Sequence, residues 1–312
     1  MTTASDLIEQ HFGRHFCLID KSTNDGDKAG PSSLPPDVHH WKAYLKRQAE
    51  EGRAMRTVMN KISAHCSDEA GLRKWRLHTH TRHLLNGLPN VLKKKYSCDI
   101  ASQAFCKFYE ILTRYPHAVR SDEKGSLRSL HLCEAPGNFI AGLNYFLAIF
   151  HPLVDWTWLA NSLNPHYEGT RSGEMLLTDD LIVAYPDNWY FGLSNSGDVT
   201  KMAPSFGPDM PQYCFVTADG SCYTQDQPEA QESTVFPIVF AEVDCALRAL
   251  YIGGTFILKM YSHFGAPTSR LLVALMRSFE SVSIVKPAAS KSGNAEVGFI
   301  SHKKGRKTRR TI

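Results

Sequence analysis

The 312-residue chain has no apolar run long enough to cross a bilayer. Its longest, Phe139 to Phe150, is broken by Gly142 and Asn144 and falls well short of the roughly 20 residues a spanning helix needs. No basic segment followed by an apolar one opens the sequence, so a secretory leader is not expected. The eight cysteines, at 17, 66, 98, 106, 133, 214, 222 and 245, include no Cys-x-x-Cys pair. That spacing argues against a zinc site and fits reduced, mostly buried thiols in the nucleus or cytoplasm. There is no Gly-x-Gly-x-x-Gly, which leaves a nicotinamide or flavin dinucleotide poorly supported, and no Gly-Lys-Ser/Thr to make a P-loop. Internal repeats and long low-complexity tracts are also missing.

What is present is an ordinary globular composition, 43% apolar and 21% charged, with the charge unevenly spread. Residues 42–95 carry 13 Lys/Arg against 4 Asp/Glu, and residues 303–312 carry 6 basic residues and no acid. Residues 96–302 hold 13 basic and 21 acidic residues. An acidic body with two basic flanks suggests a polyanionic partner gripped from the sides. A solvated helix face and a free basic tail would give the same counts. The cluster His78-Thr-His-Thr-Arg-His83 stands among Arg73, Lys74, Arg76 and Arg82. It reads better as part of that basic surface than as a metal site. Trp75 in its midst fits either stacking on a base or burial between helices.

Residues 1–41 read as an N-terminal segment ending in a linker, with turn formers crowded between Lys21 and Trp41. Residues 42–100 have helical composition and form a basic helical region. From 101 to 302, short apolar runs alternate with helical stretches. Strands are expected at Ser129–Cys133, Trp156–Ala160, Leu181–Ala184, Tyr213–Ala218, Thr255–Met260, Ser281–Val285 and Val297–Ser301. Helices are expected over Asn138–Phe150, about Glu229–Tyr251 and Pro267–Phe279. That order predicts an α/β fold with a mostly parallel, seven-stranded Rossmann-like sheet, its last two strands an antiparallel pair. Residues 303–312 are left as a basic tail. Ligands in such sheets bind beyond the carboxyl ends of the central strands, which here carry Glu134, Asp219 and Lys259.

Asp219 and Lys259 end apolar runs, and Lys107 lies within Ala104-Phe-Cys-Lys-Phe-Tyr109. Two lysines and a carboxylate at the edge of a core predict a site in which one lysine is desolvated and crowded by another cation. Both effects lower a lysine pKa toward the range of a working base. Glu296 is a candidate fourth member.

The segment Glu134-Ala-Pro-Gly-Asn-Phe139 resembles the S-adenosylmethionine loop of ribose 2′-O-methyltransferases related to the FtsJ group. Thr217-Ala-Asp-Gly-Ser221, Gly254-Thr-Phe-Ile-Leu-Lys-Met260 and Val285-Lys-Pro-Ala-Ala-Ser-Lys-Ser-Gly-Asn-Ala-Glu296 resemble the mRNA cap-specific enzymes of that group. Trp156-Thr-Trp-Leu-Ala-Asn-Ser-Leu-Asn-Pro165 and Asn188-Trp-Tyr-Phe-Gly192 are closer to the branch that modifies the second transcribed nucleotide. The resemblance runs from about Gln103 to His302, and residues 1–100 carry none of it.

The resemblance implies a catalytic set of Lys107, Asp219, Lys259 and Glu296. It implies S-adenosylmethionine held by Glu134, Pro136, Gly137, Asn138, Phe139, Trp156, Asp198, Val199 and Asp219, with Asn294 on the substrate side. Trp156 fits core packing equally well, as an aromatic opening a buried strand. Asn164-Pro165 stands where many such folds carry an acidic residue for the cofactor ribose. Two roles for Lys259 stay open: it accepts the 2′-hydroxyl proton, or with Lys107 it steers the oxygen and stabilises its developing charge. The implied partner is the capped 5′ end of mRNA, in the nucleus or cytoplasm, or in a host cell if the source is a virus. The alternatives are an FtsJ-like enzyme of ribosomal or transfer RNA and a catalytically silent RNA-binding subunit.

Overall fold

The computed structural model describes residues 14–20, most of 46–61, 68–98, 100–122, 125–168, 178–206, 210–222, 224, 230–291 and 296–303. Among the described residues, strands and α-helices follow one another along the chain. They are β1 (Arg14–Asp20), α1 (Glu69–Thr81), α2 (Leu88–Tyr96), α3 (Gln103–Arg114), β2 (Ser126–Leu132), α4 (Asn138–Phe150) and β3 (Asp155–Ala160). There follow α5 (Asp180–Ala184), β4 (Tyr213–Ala218), α6 (Gln231–Ala249), β5 (Leu250–Met260), α7 (Ala266–Ser278), β6 (Phe279–Lys286) and β7 (Val297–Lys303).

The strands form one sheet in the order β1-β6-β7-β5-β4-β2-β3. Pairings β2–β3, β2–β4 and β4–β5 are parallel, while β5–β7, β6–β7 and β1–β6 are antiparallel. The sheet is therefore half parallel rather than mostly so. The expected antiparallel pair of final strands is present, and β1 adds a further antiparallel strand on the edge of β6. That strand comes from the segment expected to stand apart from the catalytic domain. Its alternation is too short to stand out among the turn formers that follow it. Leu181–Ala184, expected as a strand, is instead the helix α5. A four-residue apolar run does not carry a period, so its length alone cannot decide between the two.

The inner strand β4 is buried along its full length, as its unbroken Tyr-Cys-Phe-Val-Thr-Ala run requires of a strand covered on both faces. One face is covered by α6 and α7, packed over Leu130, Val216, Phe256 and Leu258. The other is covered by α3 and α4 around Phe108, Phe146 and Phe215. Phe108 stacks on Phe139 at 4.2 Å, and truncating such a buried ring costs about 3–5 kcal/mol. At the head of α3, Ser102 accepts the Phe105 N–H at 3.1 Å and donates to Asn138 Oδ1 at 2.6 Å. One capping hydroxyl thus ties the start of α3 to the start of α4.

In the basic region, α2 turns Leu88 and Leu92, with Leu85 before them, toward Phe105, Cys106 and Ala289. Lys93, Lys94 and Lys95 stay exposed. Trp75 on α1 is 48% exposed and stacks on His78 rather than filling a helix interface. The tail beyond Lys303 and the linker at 21–41 lie outside the described residues.

A polar chain crosses the sheet from β3 to β4. Trp156 Nε1 donates to Ser129 Oγ at 2.9 Å, Ser129 Oγ contacts His131 Nε2 at 2.9 Å, and His131 Nδ1 contacts Thr217 Oγ1 at 2.8 Å. The indole is a fixed donor, and both ring nitrogens of His131 are occupied by hydroxyl partners. Burial pushes the His131 pKa down to about 3. The unfolded imidazole takes its proton near 6.5. Stability is therefore full above that pH and is lost as pH falls toward 3. Urea denaturation across this range will show the loss, on the order of several kcal/mol, and H131N will flatten it.

Candidate active site

The carboxyl ends of β2, β4 and β5 open toward one mouth. Asp219 follows β4 directly and its N–H donates to Leu132 O of β2 at 3.2 Å, so the turn after β2 and the turn after β4 lie side by side. Lys259 projects from the end of β5. Lys107 comes from α3 and Glu296 from the residue before β7. Lys107, Phe139, Asp219, Lys259 and Glu296 line one small cleft.

The four charges form two pairs. Lys107 Nζ sits 2.6 and 2.7 Å from the two Glu296 oxygens. Lys259 Nζ sits 2.8 Å from Asp219 Oδ1 and 2.6 Å from the Asp219 main-chain oxygen. The Tyr261 ring lies 5.7 Å from the same ammonium. Burial alone would lower the Lys259 pKa. Asp219, Tyr261 and Glu296 together outweigh burial, and the lysine is held well above its ordinary value. This reverses the expectation of a depressed lysine. Lys107 does not crowd Lys259 as a bare cation, because Glu296 binds it with both oxygens. Burial raises the Glu296 carboxyl, but Lys107, Lys259 and Lys286 overcome that and leave it below the usual carboxylate range.

Glu134, Pro136, Gly137, Asn138 and Phe139 form the turn from β2 into α4. Glu134 is buried, and its Oε1 accepts the N–H groups of Phe139 and Ile140 at 2.7 and 3.1 Å. It braces its own turn, and its Oε2 is buried with no hydrogen-bond partner among the described residues. Burial raises its pKa well above the carboxylate range. Gly137 has φ +110°, a conformation that favours glycine, and a Cβ there would press on the Leu181 side chain of α5. Asp198 caps a short 3₁₀ turn and pairs with Lys201 at 3.2 Å, and Val199 is buried in the core. Trp156 does not join this group. It stands near the amino end of β3, opposite Leu127, with its indole N–H spent on Ser129. Asn294 lies outside the described residues.

Sequence reading missed four side chains that hold this site. Asn161, just past β3, is fully buried and donates to Tyr190 O at 3.2 Å and Gly197 O at 3.0 Å. Asn164, where an acid was sought, is buried and donates to Asn195 O at 2.8 Å, fastening the loop that leads to Asp198. Glu110, one helical turn past Lys107, accepts the Ala288 and Ala289 N–H groups at 2.7 and 3.0 Å. Lys286 donates to Ser290 Oγ and Glu296 O, each at 2.9 Å. Burial lowers its pKa to about 8, against the pull of Glu296 and with a push from Lys107. Glu110 had a signal, its i+3 spacing from Lys107; the other three show their partners only in space. His83 Nε2 contacts Ala289 O at 3.1 Å, which brings one histidine of the basic cluster to the loop before Glu296.

A family model for FtsJ-like methyltransferases matches residues 100–304. The chain belongs to the FtsJ-like methyltransferase family. Relatives named cap-specific mRNA (nucleoside-2′-O-)-methyltransferase 2 include one from Danio rerio, 39% identical over 254 residues, or 80% of this chain and 34% of the relative. One from Pongo abelii is 36% identical over 303 residues, covering 95% of this chain and 38% of the relative. One from Drosophila melanogaster is 36% identical over 277 residues, covering 85% and 38%. The chain spans a little over a third of the length of these relatives. A 303-residue match must enter residues 1–100, the stretch in which the sequence alone gave no resemblance. As an FtsJ-like methyltransferase, the chain has its two ion pairs at the end of the sheet where ligands of such folds bind.

Lys107→Met leaves the Glu296 carboxylate partly buried and without its main counter-ion. Its pKa will rise, and stability at neutral pH will drop by about 1–3 kcal/mol, the cost of a broken buried pair discounted for partial exposure. Adding E296Q will recover most of the loss in chemical denaturation. Equal stability of the single and double variants would contradict the pairing.

Proposed function

We propose that this chain transfers the methyl group of S-adenosylmethionine to the ribose 2′-hydroxyl of a cap-proximal nucleotide of mRNA, with the second transcribed nucleotide as the position. The observation that carries this reading is the pair of ion pairs, Lys107–Glu296 and Lys259–Asp219, facing one cleft beside the Glu134–Phe139 turn. The names of the relatives support the capped substrate.

The residues fit such a donor. Asp219 offers a carboxylate one strand from the Glu134–Phe139 turn, and Gly137 lets that turn fold tightly. When bound, S-adenosylmethionine supplies a methyl group on a cationic sulfur. Asp219 offsets that charge. Lys259 keeps its proton in the resting site, so it acts as a donor that orients the 2′-oxygen and stabilises negative charge on it. With Lys259 already protonated, the hydroxyl proton lost on methylation would pass to solvent rather than to this lysine. Lys107, held by Glu296, supplies the second positive contact. Of the two roles open to Lys259, the raised proton affinity favours orientation over proton abstraction.

The basic helical region is assigned to RNA backbone. Lys93, Lys94 and Lys95 are exposed on α2, whose apolar side docks beside α3, and α3 carries Lys107. Exposed Trp75 offers a stacking face.

Incubation with capped RNA and labelled methyl donor will give transfer that requires the 5′ cap and maps to the second nucleotide. Cap-independent transfer would favour a ribosomal or transfer RNA substrate instead. Lys259→Ala will lower transfer at least about a hundredfold. Unchanged transfer in that variant would sink the mechanism. Replacing Lys93, Lys94 and Lys95 by Ala will weaken RNA binding and flatten its dependence on salt by up to about three units of log–log slope, read by fluorescence anisotropy.

A further inference from the structure

The proposed reaction leaves one buried carboxyl at the mouth unused. Glu242, on α6, has no solvent exposure. Its Oε1 accepts the Gly220 N–H at 2.7 Å. A Cβ on Gly220 would lie 2.5 Å from Oε1, so glycine is needed for this approach. The Cys133 thiol, on a residue with φ +54° directly after β2, lies against the same carboxyl.

The Gly220 N–H belongs to the same planar peptide as the Asp219 carbonyl. In a trans peptide the two point in opposite directions. Glu242 takes the N–H from behind, and the carbonyl is thereby aimed forward at Lys259 Nζ, 2.6 Å away. Hydrogen bonds at both ends of one peptide also polarise each other. We propose that Glu242 is the positioning residue for Lys259, acting through the Asp219–Gly220 peptide. It touches neither substrate nor methyl donor.

The groups facing Glu242 are Cys133 at the end of β2, Asp219 after β4 and Lys259 at the end of β5. Burial pushes its pKa up to about 8, with Lys259 and the Gly220 N–H opposing and Asp219 assisting. Burial thus favours the protonated carboxyl, and toward the Gly220 N–H Glu242 acts as an acceptor. Above its pKa, the anion draws harder on the Gly220 N–H and strengthens the carbonyl that holds the Lys259 proton.

The inference rests on the proposed methyl transfer for its kinetic readout, and a second readout stands without it. E242M, which fills the space without an acceptor, will lower kcat about tenfold, with S-adenosylhomocysteine affinity by calorimetry kept within about threefold. E242Q, which restores the acceptor, will recover most of the rate and lack the inflection near pH 8 expected of the wild type. Equal rates in E242M and wild type, or E242Q as impaired as E242M, would overturn the proposal. If the wild-type chain transfers no methyl group, the proposed function fails, and NMR titration of the Lys259 ammonium decides the inference alone. The proton will leave at lower pH in E242M than in wild type and E242Q, and identical titrations overturn it. Melting curves confirm that each variant is folded.

Discussion

The site depends on the hold of Asp219 on Lys259. The aspartate meets the ammonium twice, through Oδ1 and through its own main-chain oxygen, so the lysine is fixed by one residue whose backbone is already part of the sheet edge. A side-chain pair alone would leave two flexible arms to order. A main-chain acceptor is ordered by folding itself, and the ion pair loses less entropy in forming. That arrangement keeps the ammonium charged inside the protein, where burial would otherwise favour the neutral amine.

The second pair is organised differently. Glu296 stands on a connection between β6 and β7, and α3 holds that connection at two levels one helical turn apart. Lys107 takes the Glu296 carboxylate, while Glu110 takes two backbone N–H groups of the turn that begins it. Lys286 and His83 bind the same stretch from other sides. The geometry of Glu296 is thereby set by a helix rather than by its loop. That is how a charge on an irregular segment keeps a fixed address.

Much of this was legible in the sequence wherever a residue broke a local pattern. Asp219 and Lys259 close apolar strands, and Gly137 interrupts a strand-to-helix passage, so each stood out against neighbours that the core explains. Strands β4 and β7 and helix α4 began where their patterns begin. The misses share another cause. Leu181–Ala184 is too short for its period to declare a helix, and Arg14–Asp20 finds its partner only at β6. Trp156 allowed two readings in the sequence, cofactor contact or core packing, and its indole N–H lies in a hydrogen-bond chain inside the sheet. The direction of the Lys259 shift also lay out of reach. It depends on which lysine each carboxylate chooses, and sequence distance carries no information about that choice.

The edge strand β1 has a consequence for how the molecule is made. It pairs with β6, so the start of the described chain meets a strand close to its end, with Arg14 opposite Lys286. During synthesis the first strand emerges long before its partner exists, while β2 through β5 can assemble among themselves. β1 can therefore join the sheet only once β6 has been made, and pairing between strands so far apart in the chain carries a loop-closure cost before its contacts form.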